Sequence, residues 1–595
     1  MPVSIHRTRA LALVSACLTL PAIAATIPVD GTLCTLPDAI GAANGNTAVG
    51  GCVAGNGADT LELGANVVLT AARGGIVLGG AAGLPDISST ITLVGSPGGT
   101  VRLIQRNSQW QCAAADPDAF RLFTVTATGN LTLRNLTLKN GCVAPFSGDA
   151  HGGAILVDGG DLTLDNVTVD GHRARSGAGG EAGGGAIAVV NGGDVRIDAS
   201  RLENNLATSA DNLADDAHSG AAYGGALSLR DAASRVSMGT SIVRGNVVLP
   251  GSAESAAHGC GGAIALRGGT LSLRSSLLTQ NTVNGGATTQ STPGIGRGGA
   301  LCQTGGTLGV IGSALVENDA IGGAGLGQFG DGDGMGGGIS VTSATQSRLE
   351  NVTISGNRAA GGHEITRGIG GGVVLETAGV VLARVTVAGN TVEGSAGSKA
   401  GGLWITHDAT IFQSIFADNA DGDCRPSTPG LDWSAGYNLV ENSGCTLESN
   451  DISGLDPRLE ALADNGCVTG QQLPDGSCAP THAIAQSGEF SGGSFLRTAS
   501  PALDASLCIE GPGLLDQRGY TRPQDIAFVG SANTTCDIGA FEAIDSDADG
   551  ITNTRDACLG NDASGDVDDD HVCADRDDND NDPTIGVSLF ADGFE

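Results

Sequence analysis

Aromatic side chains are scarce in this chain: Phe, Trp and Tyr make up 3% of 595 residues. A groove that stacks sugars on rings is therefore poorly supplied, although polar chains can be bound without them. Basic residues are few as well. Thirty Lys and Arg stand against 64 Asp and Glu, a formal net charge of −34, which argues against nucleic acid or an anionic membrane surface as partner. After the first two dozen residues no stretch approaches the roughly 20 uninterrupted apolar residues of a membrane span. No Cys-x-x-Cys knuckle suggests structural zinc, and no nucleophile elbow or phosphate-binding loop stands out.

Glycine, by contrast, is abundant, with 97 residues, and it is patterned. Eight times between Gly152 and Thr406 a glycine pair is followed by a small residue and an aliphatic run. The clearest copies begin at Gly152, Gly184, Gly224, Gly261 and Gly298, with looser ones at Gly336, Gly371 and Gly401, 30 to 40 residues apart. A turn follows each copy, then alternating triplets such as Leu162-Thr163-Leu164 and Val167-Thr168-Val169, which read as short strands with one face buried. Each unit is thus expected to hold three strands, joined to the next by loops rich in Gly, Ala, Ser and Asp. Three such strands cannot bury a core alone, but stacked about 4.8 Å apart they can. The expected fold is all-β, a right-handed parallel β-helix with capped ends. A propeller is the rival for this period, but its four-stranded antiparallel blades and Trp-Asp signals are missing.

A second motif recurs after the triplets: a Ser, an apolar residue two on, and an Asn three further, as in Ser200–Asn205, Ser241–Asn246, Ser276–Asn281, Ser313–Asn318 and Ser414–Asn419. A stacked Asn can bond both the backbone and the Asn of the next coil at a tight bend, so these read as turn formers and not as ligands. Together with Gly-Gly-Ala-Ile, the motif resembles the repeats of polymorphic outer-membrane proteins, which are surface β-helix adhesins. Only Phe416 supplies that family's Phe.

Residues 1–24 read as a secretory signal: His6, Arg7 and Arg9, an apolar run from Ala10 to Leu20, then Ala22-Ile23-Ala24. A lipidation box at Val14–Cys17 is a second reading. Beyond Cys17, 14 cysteines remain of 15, an even number that fits disulfides in an exported chain. Spacing alone does not fix their connectivity. The simplest scheme joins neighbours: Cys34–Cys52, Cys112–Cys142, Cys260–Cys302, Cys424–Cys445, Cys467–Cys478, Cys508–Cys536 and Cys558–Cys573.

An open β-helix end invites polymerisation, so both ends should be covered. Thr35 to Asn44 offers a helical lid, with Thr35 as cap, Pro37 in the first turn, Asp38 at the positive end, and Leu36, Ala39, Ile40 and Ala43 on one face. The stretch Cys34–Leu63 resembles the CSLREA domain of exported β-helix proteins, its name motif altered here to Cys34-Thr35-Leu36-Pro37-Asp38-Ala39. Toward the other end, Asp456–Leu459, Ser500–Asp504, Asp516–Gly519 and Cys536–Glu542 look like a choice-of-anchor Q domain, which implies a surface protein. Asp504, Asp516, Arg518 and Asp537 are expected to form a structural ion-pair network. The segments are then 1–24 (signal), 25–63 (N-terminal cap), 64–420 (β-helix), 421–543 (C-terminal cap), 544–585 (acidic segment) and 586–595 (a short tail of a kind seen on some exported proteins).

The acidic segment carries the metal signal. Residues 545–595 hold 16 acidic and two basic side chains. Asp545, Asp547, Asp549, Asn553 and Asp556 fall at loop positions 1, 3, 5, 9 and 12, with Gly550 at 6 and the Ile551 carbonyl at 7, a spacing that wraps hard oxygens around Ca²⁺. It resembles a type 3 thrombospondin or dockerin-type loop. Asp566, Asp568 and Asp570 begin a second loop, with His571 in place of the turn glycine.

For catalysis, Arg134, Asp165, Arg274 and Glu350 occupy comparable places between the strand triplets, and Arg134 and Asp165 are expected as vertical neighbours. A lyase needs a base beside carboxylate-bound Ca²⁺, and an inverting hydrolase needs carboxylates about 6.5–9.5 Å apart. Alternating charges on an exposed corner, however, are ordinary solvated pairs worth under about 1 kcal/mol. Asp331 and Asp333 sit in a Gly-rich loop, and His151, His172, His218, His258, His363 and His407 lack ligand spacing and read mostly as loop residues. No residue is assigned a catalytic role. The expectation is a secreted or cell-surface, calcium-binding β-helix protein for adhesion or envelope interaction, whose partner is an extracellular polysaccharide or a host or envelope component. The alternative is an extracellular polysaccharide lyase or glycoside hydrolase.

Overall fold

Residues in the left-handed conformation recur at matching bends of successive coils. One column of such residues runs Asn135, Asn166, Ala199, Thr240, Ser275, Gly312, Asn351, Arg384 and Gln413, all with φ between 43° and 60°. These positions lie in a computed structural model that describes residues 24–583 apart from 96–98, 108–111, 212–219, 254–256, 289–292, 326–331, 363–366, 395–398, 443, 492–493, 509–513, 525, 527–534, 549–550, 557, 578 and 582. The secretory signal, Cys17 and the C-terminal tail therefore lie outside the described residues, Ala24 excepted.

The chain is a right-handed parallel β-helix. Parallel ladders of 21, 10, 8 and 7 strands run along it, and the handedness follows the rule for strand crossovers. The glycine-pair register holds through the stack: Ile155, Ile187, Leu227, Ile264, Leu301, Ile339, Val373 and Leu403 pair in succession, and all are fully buried. One core runs without interruption from Ile27 to Val440. In the last two units the left-handed corner falls at Gly370 and Ala400, one residue earlier than the glycine pairs suggest, because the aliphatic residue and not the glycine is what must face inward.

Five strand segments build a coil, two more than the alternation reveals. Leu206–Thr208 follows the Asn corner, and Ala222–Tyr223 precedes the next glycine pair. With three and two residues, each is too short to display a period of two.

The Asn of the second motif forms a continuous buried ladder. The side-chain amides of Asn205, Asn246, Asn281, Asn318, Asn357 and Asn390 each donate to the carbonyl oxygen of the next, through to Asn419, at 2.9 Å. Asn419 donates in turn to Asp423 at 2.8 Å, an acceptor-only end. His172 heads the column, with its backbone N–H on Asn205 Oδ1 at 3.0 Å and its ring on Leu138 O and Gly141 N. It lies in the bend between two strands but is fully buried there, and burial pulls its pKa down to about 4. The motif's Ser also stacks: Ser241, Ser276 and Ser313 Oγ accept the N–H of the serine one coil back at 3.1 to 3.2 Å.

All seven neighbour pairings of cysteine are present. Cys260–Cys302 joins adjacent coils on the diagonal, since Cys260 pairs in register with Arg297 and Cys302 with Ala265.

At the N-terminal end, helix Leu36–Gly45 is capped by Thr35, whose side chain accepts from Asp38 N, and its face Leu36, Ala39, Ile40 and Ala43 is buried. Strand Thr26–Val29 pairs in parallel with Asp59–Leu63, so this segment also starts the longest ladder. At the other end, strands continue to Ile452–Ser453, and Trp433 is buried edge-on against Phe416. The chain then folds back along the side of the coils. Ala479 packs on Ala314 and Val316, Thr353 Oγ1 donates to Gln517 Oε1 at 2.7 Å, and Gly539 N donates to Gln413 O at 2.8 Å. Residues 457–543 form this lateral domain, with its own core of Ala483, Ile484, Leu503, Ile526, Ile538 and Phe541 against Ile415.

Candidate metal centre and the charged face of the coils

In the first acidic loop, Asn553 reaches back to Ser546, with its carbonyl oxygen accepting Ser546 N at 2.9 Å and its amide donating to Ser546 Oγ at 2.7 Å. Ile551 is fully buried and Asp547 accepts from Gly560 N. Asp556 has its pKa pushed up to about 7, first by burial and then by the charges of Asp547 and Asp562. Asp549 lies outside the described residues.

The carboxylates that converge belong to the second stretch. Oxygens of Asp566, Asp568 and Asp580, and of Asp568, Asp570 and Asp577, lie within 4.8 Å of one another, so this acidic cluster could hold a metal ion. Short turns aim them. Asp566 accepts from Asp569 N and His571 N, Asp570 from Val572 N, and Asp580 from Val567 N. Asp577 Oδ2 is buried and takes no hydrogen bond. Asp577 and Asp580 were not read from the sequence, although Asp577 stands at position 12 counted from Asp566, where a loop of this kind closes. A third convergence, Cys558, Asp562 and Cys573, offers no thiolate because its sulfurs form a disulfide.

On the coils, Arg134 and Asp165 are indeed vertical neighbours, 3.1 Å apart with about half of each side chain exposed. Arg274 and Glu350 share their column but are separated by Ile311. Glu350 departs from the expected solvated pair. It meets Arg348 at 2.9 Å and also Arg384, whose side chain is 1% exposed because the lateral domain covers that corner. Asp333 binds Arg367 at 3.1 Å, while Asp331, His218 and His363 fall outside the described residues.

A cluster absent from the sequence reading crosses the junction between the two ladders beside the glycine pairs. Arg267 grips Glu181 with both terminal nitrogens at 2.9 and 3.4 Å and lies 3.8 Å over the Tyr223 ring. Arg230 donates to His151 Nε2 at 3.0 Å, beside Asp149 at 3.6 Å. Asp149 is held well below the usual carboxylate range, by His151 first, with the Glu181 backbone N–H and Arg230 adding. The partners lie 79 and 86 residues apart, which places them beyond any local signal.

In the lateral domain one pair of the expected network, Asp516 with Arg518, is present and buried, and Asp504 and Asp537 are held by other partners. Asp516 pairs with Arg518 at 2.7 Å and Arg522 with Glu542 at 2.7 Å, while Asp537 accepts from Asp504 N and Ala543 N. Arg522 and Glu542 are additions to the sequence reading. Burial raises Asp537 well above its ordinary value and Glu542 to about 7, with Arg522 opposing the shift of Glu542. Between pH 4.5 and 7 the folded domain thus holds a proton that the unfolded chain releases, so stability falls as pH rises through that window. His482, whose pKa burial lowers, contributes the opposite slope below its ordinary value of 6.5. Melting followed at pH 5 and pH 7 is expected to show a smaller loss on raising pH in Glu542→Gln than in the wild type, by a few degrees.

Seven disulfides fit an extracellular protein, and among the described residues no helix is long and apolar enough to cross a membrane. No family model, curated protein or solved structure matches the chain, so the resemblances to polymorphic outer-membrane repeats, CSLREA and choice-of-anchor Q domains rest on their motifs alone.

Proposed function

We propose that the chain is exported by its N-terminal segment and acts at the cell surface as a non-catalytic, calcium-binding β-helix, presenting its coils to an extracellular polymer or envelope component for adhesion. One observation carries the non-catalytic reading. Where acids and bases gather on the coils, they satisfy one another: Glu181 is bidentate with Arg267, and Arg230 is held by His151 and Asp149. A general base or acid needs a carboxylate or imidazole turned toward substrate. The same cluster is what favours the second reading, a lyase or hydrolase, because it places carboxylates and arginines on one face. Incubating the secreted protein with a panel of plant and bacterial polysaccharides separates the two. Retention without release of unsaturated or reducing ends supports adhesion, and release that disappears in Glu181→Gln supports the enzyme.

Calcium is the metal this reading assigns, because every converging donor is a hard oxygen. Calorimetry of the disulfide-intact protein should detect uptake. Asp568 belongs to both convergent triads, so Asp568→Ala should weaken binding at that stretch by about tenfold or more. Uptake unchanged by this substitution would place the ion elsewhere.

A further inference from the structure

Just before His172 and each Asn of the ladder, the chain turns a left-handed bend. That column runs Gly171, Asn204, Gly245, Gln280, Glu317, Gly356, Gly389 and Asp418, with φ between 54° and 73°. Glycine enters this region freely, and Asn or Asp with little cost, but a long side chain is strained there. Gln280 and Glu317 therefore stand apart. Both are exposed, and Gln280 Nε2 donates to Glu317 Oε2 at 3.1 Å. One exposed hydrogen bond, which water would otherwise supply, does not offset two strained residues.

Beside these two residues lies a groove of about 380 Å³. One side is the bend column, where Gly356 adds no side chain after Gln280 and Glu317. The other side is the outward edge of the eight-stranded ladder, where Thr282, Asp319, Arg358 and Thr391 pair in succession over four coils, so the groove follows the coil axis. The lateral domain reaches its margin, since Ala479 packs on Val316 and His482 meets Ser355, each one residue from the bend column. The lining is amide, hydroxyl, carboxylate and guanidinium, repeated about 4.8 Å apart. Among the described residues the hydroxyls of Thr282 and Thr391 take no hydrogen bond, and Glu317 and Asp319 each keep one oxygen outside their bonds to Gln280 and Arg358. An apolar small molecule would need a hydrophobic lining. An anionic polymer would meet Glu317 and Asp319, while Arg358 is already held by Asp319 and Glu393, in a chain of net charge −34. A neutral glycan fits, because its hydroxyls both donate to carboxylate oxygens and accept from Thr and Gln.

We infer that this groove is the surface on which the extracellular polymer lies, and that the polymer is a neutral glycan extended along the coil axis from Thr282 to Thr391. This rests on the adhesive reading above and adds its surface and its ligand class. Glu317 and Asp319 accept sugar hydroxyls, and Gln280, Thr282 and Thr391 donate to them. The strained bends set the two long side chains of Gln280 and Glu317 beside the glycan.

Affinity electrophoresis of the full, disulfide-intact protein through gels containing galactomannan, xyloglucan or polygalacturonate tests the groove. Retardation is expected from a neutral polymer and not from polygalacturonate. Glu317→Gln, which keeps an oxygen for Gln280, should weaken it about tenfold. Gly356→Gln should abolish it: an added Cβ there has Glu317 Cγ as its nearest atom, at 3.6 Å, and the column already carries a Gln at 280. Gly171→Gln, in the same column but outside the groove, should leave retardation unchanged, and urea midpoints show whether each glycine variant keeps its fold. Should Gly356→Gln not fold, Glu317→Gln decides alone. Neutral-polymer retardation unchanged by Glu317→Gln would overturn the groove and leave the adhesive reading standing, and so would retardation by polygalacturonate alone. Retention by none of the three, repeated across the polysaccharide panel above, would overturn both.

Discussion

Gly299→Ala should disrupt the coil stack, whereas Gly309→Ala should be neutral or slightly stabilising. A Cβ at Gly299 would lie 2.1 Å from Gly337 O in the next coil and 2.7 Å from Asp319 N. Neither is a side-chain tip that can swing away. Both are backbone atoms held in ladders, so relief requires tilting one coil on another and opening the core at Leu301 and Ile339, which pair directly. Single substitutions that force such a shift reach about 4 kcal/mol or more. At Gly309 an added Cβ meets nothing within 4 Å, and removing a strand glycine gains roughly 0.5–1 kcal/mol from the unfolded chain. Urea unfolding of the two exported variants, made side by side, checks this. Equal midpoints would show that the stack yields far more easily than its register implies.

That contrast also marks what a reader of the sequence can see. In the first six units the first glycine of the pair turns a left-handed corner, such as Gly298 at φ 67°. The second is required by the coil above or below it, and both therefore recur. Inward aliphatics, corner Asn and neighbouring cysteines recur for the same reason, since a solenoid makes its contacts one coil apart. Features that escaped reading break this rule. Arg267 and Glu181 meet 86 residues apart, and Asn351 of the coils donates to Leu515 O at 2.7 Å, 164 residues on. The lateral domain turns a corner position that would otherwise be wet into a buried one at Arg384. His172 looks like one histidine among nine, because its role as head of a ladder is set by Asn205 and not by its own neighbours. In the metal segment the acidic spacing was legible, but its closure at Asp577 was not. Asp577 sits in a run of acidic residues where position, and not residue type, selects the one that turns inward.

Asn318→Ala should be the costliest polar substitution in the coils. Its amide donates to Leu278 O, Val316 O and Asn357 Oδ1, and its carbonyl oxygen accepts from Asn281 N and Asn281 Nδ2. Truncation removes all of these at once in a site with no exposure. The orphaned partners, not the lost residue, set the cost: a buried unsatisfied group is worth about 1–3 kcal/mol, and here Asn281 loses an acceptor while Leu278 O loses a donor. Some relief is available, since Val316 O belongs to the residue's own bend and can turn. An overall loss of about 3–5 kcal/mol is the expected result. The ladder also has a direction. Every amide donates to the Asn oxygen of the later coil while also donating to a backbone carbonyl of the earlier one, and the row ends on Asp423, which accepts from Asn419 on Oδ1 and from Asn442 N on Oδ2. Aligned bonds of this kind polarise one another, so the loss should spread beyond one coil. Hydrogen exchange in Asn318→Ala should then rise at the corners of Asn281 and Asn357 as well as at 318. An increase confined to residues 316–319 would mean that each rung stands alone.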